Sequence, residues 1–199
     1  MRYLALGDSY TIGEGVASED QWPRQLVGLL RDRGHDLREI VMIARTAWTT
    51  DELLDAIDAA PPTGKFDLVT LMIGVNDQYR ARAVAEFTRE FRHVLDRALS
   101  FASSPSHVIA ISIPDWGASP FAEAQDRNRI SREIGSYNDQ LRETSNRAGA
   151  RWVDVTVSSL RMAADRTLAV ADGLHPSGVM YREWAELVLP VALSVLNRA

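Results

Sequence analysis

Three separate stretches of this 199-residue chain carry side chains suited to one chemistry. Ser9 ends the tripeptide Gly7-Asp8-Ser9, directly after the apolar run Tyr3-Leu4-Ala5-Leu6, where a strand turning into a loop would hold a hydroxyl at its tip. Far along the chain, Asp172-Gly173-Leu174-His175-Pro176 sets an acid three residues ahead of an imidazole. On one turn that carboxylate can accept the ring N–H and orient a base. Between them, Gly74-Val75-Asn76-Asp77 follows the apolar run Leu68 to Ile73, and the Asn76 amide is placed to donate to a developing negative charge. Gly-Asp-Ser alone would read as a polar turn at a strand end. A hydroxyl, a base with its acid and an amide donor together are the components of acyl transfer.

The elements that must position these residues follow from hydrophobic periodicity. Short apolar runs suited to buried strands occur at Tyr3–Leu6, Ile40–Ala44, Leu68–Ile73, Val108–Ile113 and Trp152–Val155. Segments of helical period lie between them. Trp22 to Arg33 has Pro23 at the first helical position and Gly34 as a stop, and Thr49 with Glu52 reads as a capping box opening Asp51 to Ala59. Val84, Phe87, Phe91, Val94 and Ala98 recur at helical spacing, as do Ile130, Ile134, Tyr137 and Leu141. A last helix carries Met180, Trp184, Leu187, Val188 and Val191, and Pro190 is expected to kink or restart it.

Strands alternating with helices imply an α/β fold, a parallel sheet joined by right-handed crossovers and covered on both faces. Ligands of such sheets bind beyond the carboxyl ends of the strands. Ser9 follows the first strand, Ala47 the second, Asn76 the third and Pro114-Asp115-Trp116-Gly117 the fourth, with Asp172 and His175 after the fifth and a longer connection. All the candidate residues are therefore expected on one sheet edge.

Composition sets the frame. The length fits one domain over residues 1–199, and 46% apolar residues suffice for a sizeable core. A net charge of −5 without a Lys/Arg cluster argues against a nucleic-acid partner. No apolar stretch approaches the roughly 18 residues of a membrane span, and no charged-then-apolar leader precedes the first strand, which favours the cytoplasm if Met1 is the native start. The absence of cysteine excludes disulfides, thiolate catalysis and cysteine-ligated metal sites. Oligomeric state is not encoded in any recognisable feature.

In order and spacing, the three blocks Gly7-Asp8-Ser9, Gly74-Val75-Asn76-Asp77 and Asp172-Gly173-Leu174-His175-Pro176 resemble those of the SGNH hydrolases, also called GDSL esterases and lipases, over the whole chain. The resemblance implies a flavodoxin-like three-layer α/β/α sandwich with a five-stranded parallel sheet. It also implies hydrolysis of esters or thioesters without a metal or organic cofactor. By the same likeness the nucleophile is Ser9, the base His175, its orienting acid Asp172 and the side-chain oxyanion donor Asn76. Tyr10 stands where the family usually has leucine, a change of pocket shape rather than of chemistry. In Arg45-Thr46-Ala47-Trp48-Thr49, Ala47 falls where the family usually has a glycine whose backbone N–H joins the oxyanion hole. Alanine keeps that N–H and can serve if its φ is negative, whereas a left-handed conformation would cost about 1–2 kcal/mol. Ser9 and Ala47 N–H groups with the Asn76 amide would then form the hole.

Tyr10, Trp48, Tyr79 and Trp116, with Phe121, are the aromatic candidates for a substrate pocket, because their loops leave the same edge. Asp8 is expected mainly to hydrogen-bond its turn, and His35, His93 and His107 to be surface or structural residues. Two other readings use some of the same residues. A metal-dependent phosphoesterase would take Asp8, Asn76, Asp172 and His175 as ligands, but only one histidine sits in a motif. A non-enzymatic flavodoxin-like nucleotide-binding module would use the Gly7–Gly15 loop as a phosphate cradle, but that loop has neither a P-loop lysine nor a dinucleotide fingerprint. The compact length favours an open cleft and acyl chains of short to medium length, on a small-molecule ester and without stable membrane insertion.

Overall fold

The strand-forming runs assemble into one sheet. In the computed structural model, which describes residues 1–197, β1 (Arg2–Gly7), β2 (Glu39–Ala44), β3 (Leu68–Met72), β4 (Val108–Ile111) and β5 (Arg151–Val153) are all parallel and lie in the order β2-β1-β3-β4-β5. The last two residues of the expected 1–199 domain lie outside the described residues. The strand order is that of a flavodoxin-like doubly wound sheet. Every residue of β3 and β4 is buried, as expected of strands covered on both faces.

Among the described residues eight α-helices accompany the strands, six between them and two after β5, numbered in chain order: α1 (Ser9–Ile12), α2 (Trp22–Arg31), α3 (Thr50–Ala59), α4 (Val75–Tyr79), α5 (Val84–Phe101), α6 (Arg127–Arg147), α7 (Thr156–Ser159) and α8 (Gly178–Leu196). Because the sheet grows in one direction from β1 to β2 and in the other from β2 through β5, right-handed crossovers put α2 on one face and α3, α5 and α6 on the other. Accordingly α2 packs on α8, while α3 packs on α5 and α5 on α6. The result is the α/β/α sandwich. No helix among the described residues is long and apolar enough to cross a membrane.

Local chemistry accounts for the element ends. Pro23 lies in the first turn of α2, and the Thr49–Glu52 capping box opens α3. The fourth and fifth strands stop earlier than their apolar runs because side chains take over the backbone pairing. Ile113 exchanges two hydrogen bonds with the Asn138 amide, both 2.9 Å, and the Val155 N–H donates to Ser112 Oγ at 2.8 Å. Of the kink or restart expected at Pro190, the restart does not occur: α8 continues to Leu196. Pro190 lies on the exposed face, where the Glu186 carbonyl it leaves without a donor can bind water.

Strand register decides what the carboxyl edge can hold. Gly7, the last residue of β1, pairs with Ala44 at the end of β2 and with Met72 at the end of β3, so three loops leave the sheet at one level. There is no space for a side chain at Gly7: a Cβ would sit 2.1 Å from Thr11 Oγ1 and 2.4 Å from the Met72 carbonyl oxygen. The backbone contact cannot be relieved by a rotamer change. Gly7→Ala is therefore expected to destabilise the protein by about 1–3 kcal/mol. A urea midpoint unchanged from wild type would show that the edge is less tightly closed than these distances indicate.

Candidate active site

The loop after β1 turns at once into the short helix α1. Asp8 caps it, its Oδ1 accepting the Tyr10 N–H at 3.0 Å, and Ser9 is the first helical residue, so the Ser9 N–H has no acceptor within the helix. The segment following the short α7 returns to the same edge. There Asp172 accepts from two backbone groups through Oδ1, Leu174 N–H at 2.7 Å and His175 N–H at 3.0 Å, which folds the Asp-Gly-Leu-His segment into a tight turn. Gly173 adopts φ 70° within it. The turn brings His175 Nδ1 to 2.6 Å from Asp172 Oδ2 and aims Nε2 at Ser9 Oγ, 3.0 Å away.

Carboxylate, imidazole and hydroxyl thus stand in series. Both distances suit hydrogen bonds, and Ser9 and His175 are buried. Partial burial alone would raise the Asp172 pKa, but the His175 ring and the Leu174 and His175 backbone N–H groups outweigh it and hold the carboxyl below its ordinary range. An acid kept ionised in this way can fix the imidazole tautomer and stabilise its charged form.

Asn76 and Ala47 come from the two neighbouring strand ends. The Asn76 amide donates one hydrogen to the Trp48 carbonyl at 2.9 Å, which leaves its second hydrogen for the cleft. Of the two conformations considered for Ala47, the structure shows the left-handed one: its φ is +65°, which costs about 1–2 kcal/mol but leaves the N–H in place. The backbone N–H of Ala47 has no partner among the described residues, and the residue lines the cleft beside Ser9 and Asn76. The left-handed conformation is held by the Arg80 guanidinium, which donates to the Ala47 carbonyl at 2.7 Å.

Asp77 binds the two loops together. It is fully buried, and its Oδ2 accepts both the backbone N–H and the hydroxyl of Thr50, at 3.0 and 2.9 Å, while Oδ1 accepts from Arg82. The residue after Asn76 thereby anchors the start of α3, directly after the Ala47 loop. Its place in the Gly-Val-Asn-Asp block was the available signal, but no role for it follows from residue type alone. Asp8, also fully buried, behaves differently from Asp172. Burial raises it most, the Tyr10 N–H opposes this, nearby Asp77 adds to it, and the carboxyl is pushed up to about 8.

A cleft of about 230 Å³ opens at Ser9 and His175. Tyr10, Tyr79, Trp116 and Phe121 all line it, together with Val75 and Leu174. Tyr79 and Phe121 are 57% and 42% exposed, so the cleft is open at this wall. Trp116 is held between them, its indole N–H donating to Gln78 Oε1 at 2.7 Å, and the Phe121 N–H donates to the Gly173 carbonyl at 2.9 Å. Trp48 does not belong to this wall: its half-buried ring packs against the core, and what it offers the site is its carbonyl. His93 is exposed and His107 is buried beside β4, both away from the cleft. Among the described residues no group of three or more His, Asp or Glu side chains is arranged to hold a metal ion.

Comparison with known proteins agrees with this architecture. The structure of TesA superposes with a TM-score of 0.78 at 21% identity, covering 98% of this chain and 100% of that one. A lipase/acylhydrolase from Enterococcus faecalis matches with a TM-score of 0.76 at 20% identity, over 100% and 97% of the two chains. A variant of Axe2, an acetyl xylan esterase from Geobacillus stearothermophilus, gives 0.75 at 18% identity, over 96% and 94%. A sequence search of curated proteins finds no match. Residues 5–183 match the model of the GDSL-like lipase/acylhydrolase family.

Two measurements follow from the geometry. Ala47→Gly removes the left-handed strain, worth about 1–2 kcal/mol, and frees the unfolded chain by about 0.4–1 kcal/mol, so it is expected to leave stability unchanged or raise it by up to about 1.6 kcal/mol. A loss beyond about 1 kcal/mol in chemical denaturation would contradict the strain. The second concerns Asp8, which releases its proton near pH 4 when unfolded and near pH 8 when folded. Unfolding between those values releases a proton, so wild-type stability falls as pH rises through that window. Asp8→Asn keeps the acceptor for the Tyr10 N–H and carries no proton. Its stability relative to wild type should grow between pH 5 and 8, by up to about 1.4 kcal/mol per unit; a pH-independent difference in urea midpoint would mean that Asp8 is ionised in the fold.

Proposed function

Because this chain belongs to the GDSL-like lipase/acylhydrolase family, we propose that it is a serine esterase that cleaves carboxylic esters, or thioesters, through an acyl-enzyme on Ser9. The observation that carries this reading is the series Asp172–His175–Ser9, at 2.6 and 3.0 Å, opening into a cleft that Asn76 and Ala47 also line. His175 Nε2 takes the Ser9 proton as Oγ forms a bond to the acyl carbon, and the carbonyl electron pair moves onto oxygen. Ser9 N–H, Ala47 N–H and the free Asn76 amide hydrogen meet that oxyanion. On collapse the C–O bond to the leaving alcohol breaks and the imidazolium gives the alcohol its proton. Water then repeats the sequence, with His175 as its base, and releases the acid.

The resting geometry supports assigning these donors. The Asn76 amide is already oriented by the Trp48 carbonyl, so it need not be ordered when charge develops. Asp172 is ionised and joined to Nδ1, so Nε2 is the nitrogen presented to the hydroxyl. No step requires a metal or organic cofactor. The open aromatic wall of a 230 Å³ cleft favours acyl chains of short to medium length over long ones.

A panel of p-nitrophenyl esters from acetyl to palmitoyl, with a thioester series beside it, tests the reading. Ser9→Ala is expected to abolish turnover and labelling by a fluorophosphonate. Asn76→Ala is expected to lower kcat about 10²–10³-fold while the protein stays folded. Equal rates in wild type and Ser9→Ala would reject the serine mechanism, and near-normal turnover by Asn76→Ala would remove that residue from the oxyanion site. Activity rising toward palmitoyl would overturn the short-to-medium preference.

A further inference from the structure

One charged group beside the reacting atoms has no part in the steps above. After α1, Gly13 takes a left-handed conformation at φ 66° and the Glu14 N–H donates to the Ser9 carbonyl at 3.0 Å. The turn carries the Glu14 side chain back to the cleft. There Oε2 accepts the Thr46 hydroxyl at 2.5 Å and lies 3.9 Å from His175 Nε2. Oε1 has no partner among the described residues, and no Lys or Arg there stands within ion-pair distance of Glu14. The side chain is 37% exposed and touches Thr46, which lines the cleft with His175.

Its position relative to Nε2 defines which part of a substrate it meets. The nitrogen that accepts the Ser9 proton is also the one that returns it to the departing alcohol, so the leaving oxygen must come within hydrogen-bond distance of Nε2. A carboxylate 3.9 Å from that atom therefore lies beside the first few atoms of the alcohol. The Arg80 guanidinium, which donates to the Ala47 carbonyl, pairs with Glu52 rather than with Glu14. Val75, Tyr79, Trp116 and Phe121, which line the cleft, carry no charge and suit the acyl chain.

We infer that Glu14, held in place by Thr46, is a specificity-determining residue for the leaving alcohol, selecting esters whose alcohol carries a positive charge near the ester oxygen and rejecting those whose alcohol is anionic. The inference rests on the esterase reading above. For unit charges about 5 Å apart at a partly exposed site the discrimination is on the order of tenfold, and added salt weakens it.

The test compares esters of one fatty acid, its chain being the best of the p-nitrophenyl panel, with choline, with 3,3-dimethylbutanol and with 4-hydroxybutanoate. The first two alcohols share a shape and differ in charge. Wild type is expected to favour the choline ester over the neutral one by about tenfold in kcat/KM at low ionic strength, with the anionic ester slowest. Glu14→Gln should lower the choline-to-neutral ratio about tenfold, toward the ratio set by the two alcohols as leaving groups, and Thr46→Val, which releases the carboxylate, should lower it part of the way. Because the readout is a ratio, any loss common to both substrates cancels, as it would if Glu14 only supported the imidazolium. A wild-type ratio near one, or a ratio unchanged in Glu14→Gln, overturns the inference while leaving the esterase reading intact. Failure of Ser9 to react with a fluorophosphonate, together with no hydrolysis of any ester, overturns the esterase reading and this inference with it.

Discussion

The close approach of backbone at Gly7 is the constraint on which the active edge depends. With Thr11 and the Met72 carbonyl already inside the space that a Cβ would need, β1 can end only where it does, level with β2 and β3. Because the strands end together, the loops beginning at Asp8, Arg45 and Ile73 rise side by side. Loops so placed can share side-chain contacts. The Asn76 amide reaches the Trp48 carbonyl, and Asp77 reaches Thr50, so the loops after β2 and β3 meet above the end of β1, which lies between those strands. A slip of one residue would move these groups by about 3.3 Å and break every one of those contacts.

The acids of this edge show how environment separates identical chemistry. Asp172 is half exposed and accepts three N–H groups, so its negative charge is favoured despite partial burial. Asp8 is fully buried, accepts one backbone N–H and lies near another acid, so its neutral form is favoured. Asp77 is buried too and burial raises it, although Thr50 and Arg82 oppose the shift. Two carboxyls thus build the platform and one orients the imidazole. The difference lies in water and hydrogen-bond donors rather than in residue type.

Ala47 illustrates local cost accepted for placement. A left-handed alanine is disfavoured on its own, and its loop holds it there through contacts on both sides: Arg80 on the carbonyl and the Thr49–Glu52 box just beyond. The N–H that results has no protein acceptor among the described residues and lines the cleft. Glycine would reach the same conformation without strain, but would also leave the loop freer when unfolded. The substitution therefore changes the energetics of the loop more than the group it presents.

By itself the sequence determined the elements and the chemistry they carry. Apolar runs of four to six residues, a proline in the first turn of α2 and a complete capping box are local signals, and they specify strands and helices without reference to distant parts of the chain. The three blocks around Ser9, Asn76 and His175 were legible for a related reason: each sits just past an element end, where a turn needs particular residues. What the chain alone could not disclose depends on contacts between segments far apart in sequence. The φ of Ala47 is decided with Arg80, the Trp48 ring packs against a core assembled from the whole chain, and Asp77 matters because Thr50 is at hand. Pro190 breaks nothing because its helix exposes that face to water. Only the tertiary structure brings Glu14 and Thr46 to the ring of His175, since a carboxylate acquires a role from the atoms within a few ångströms, and those are set by packing.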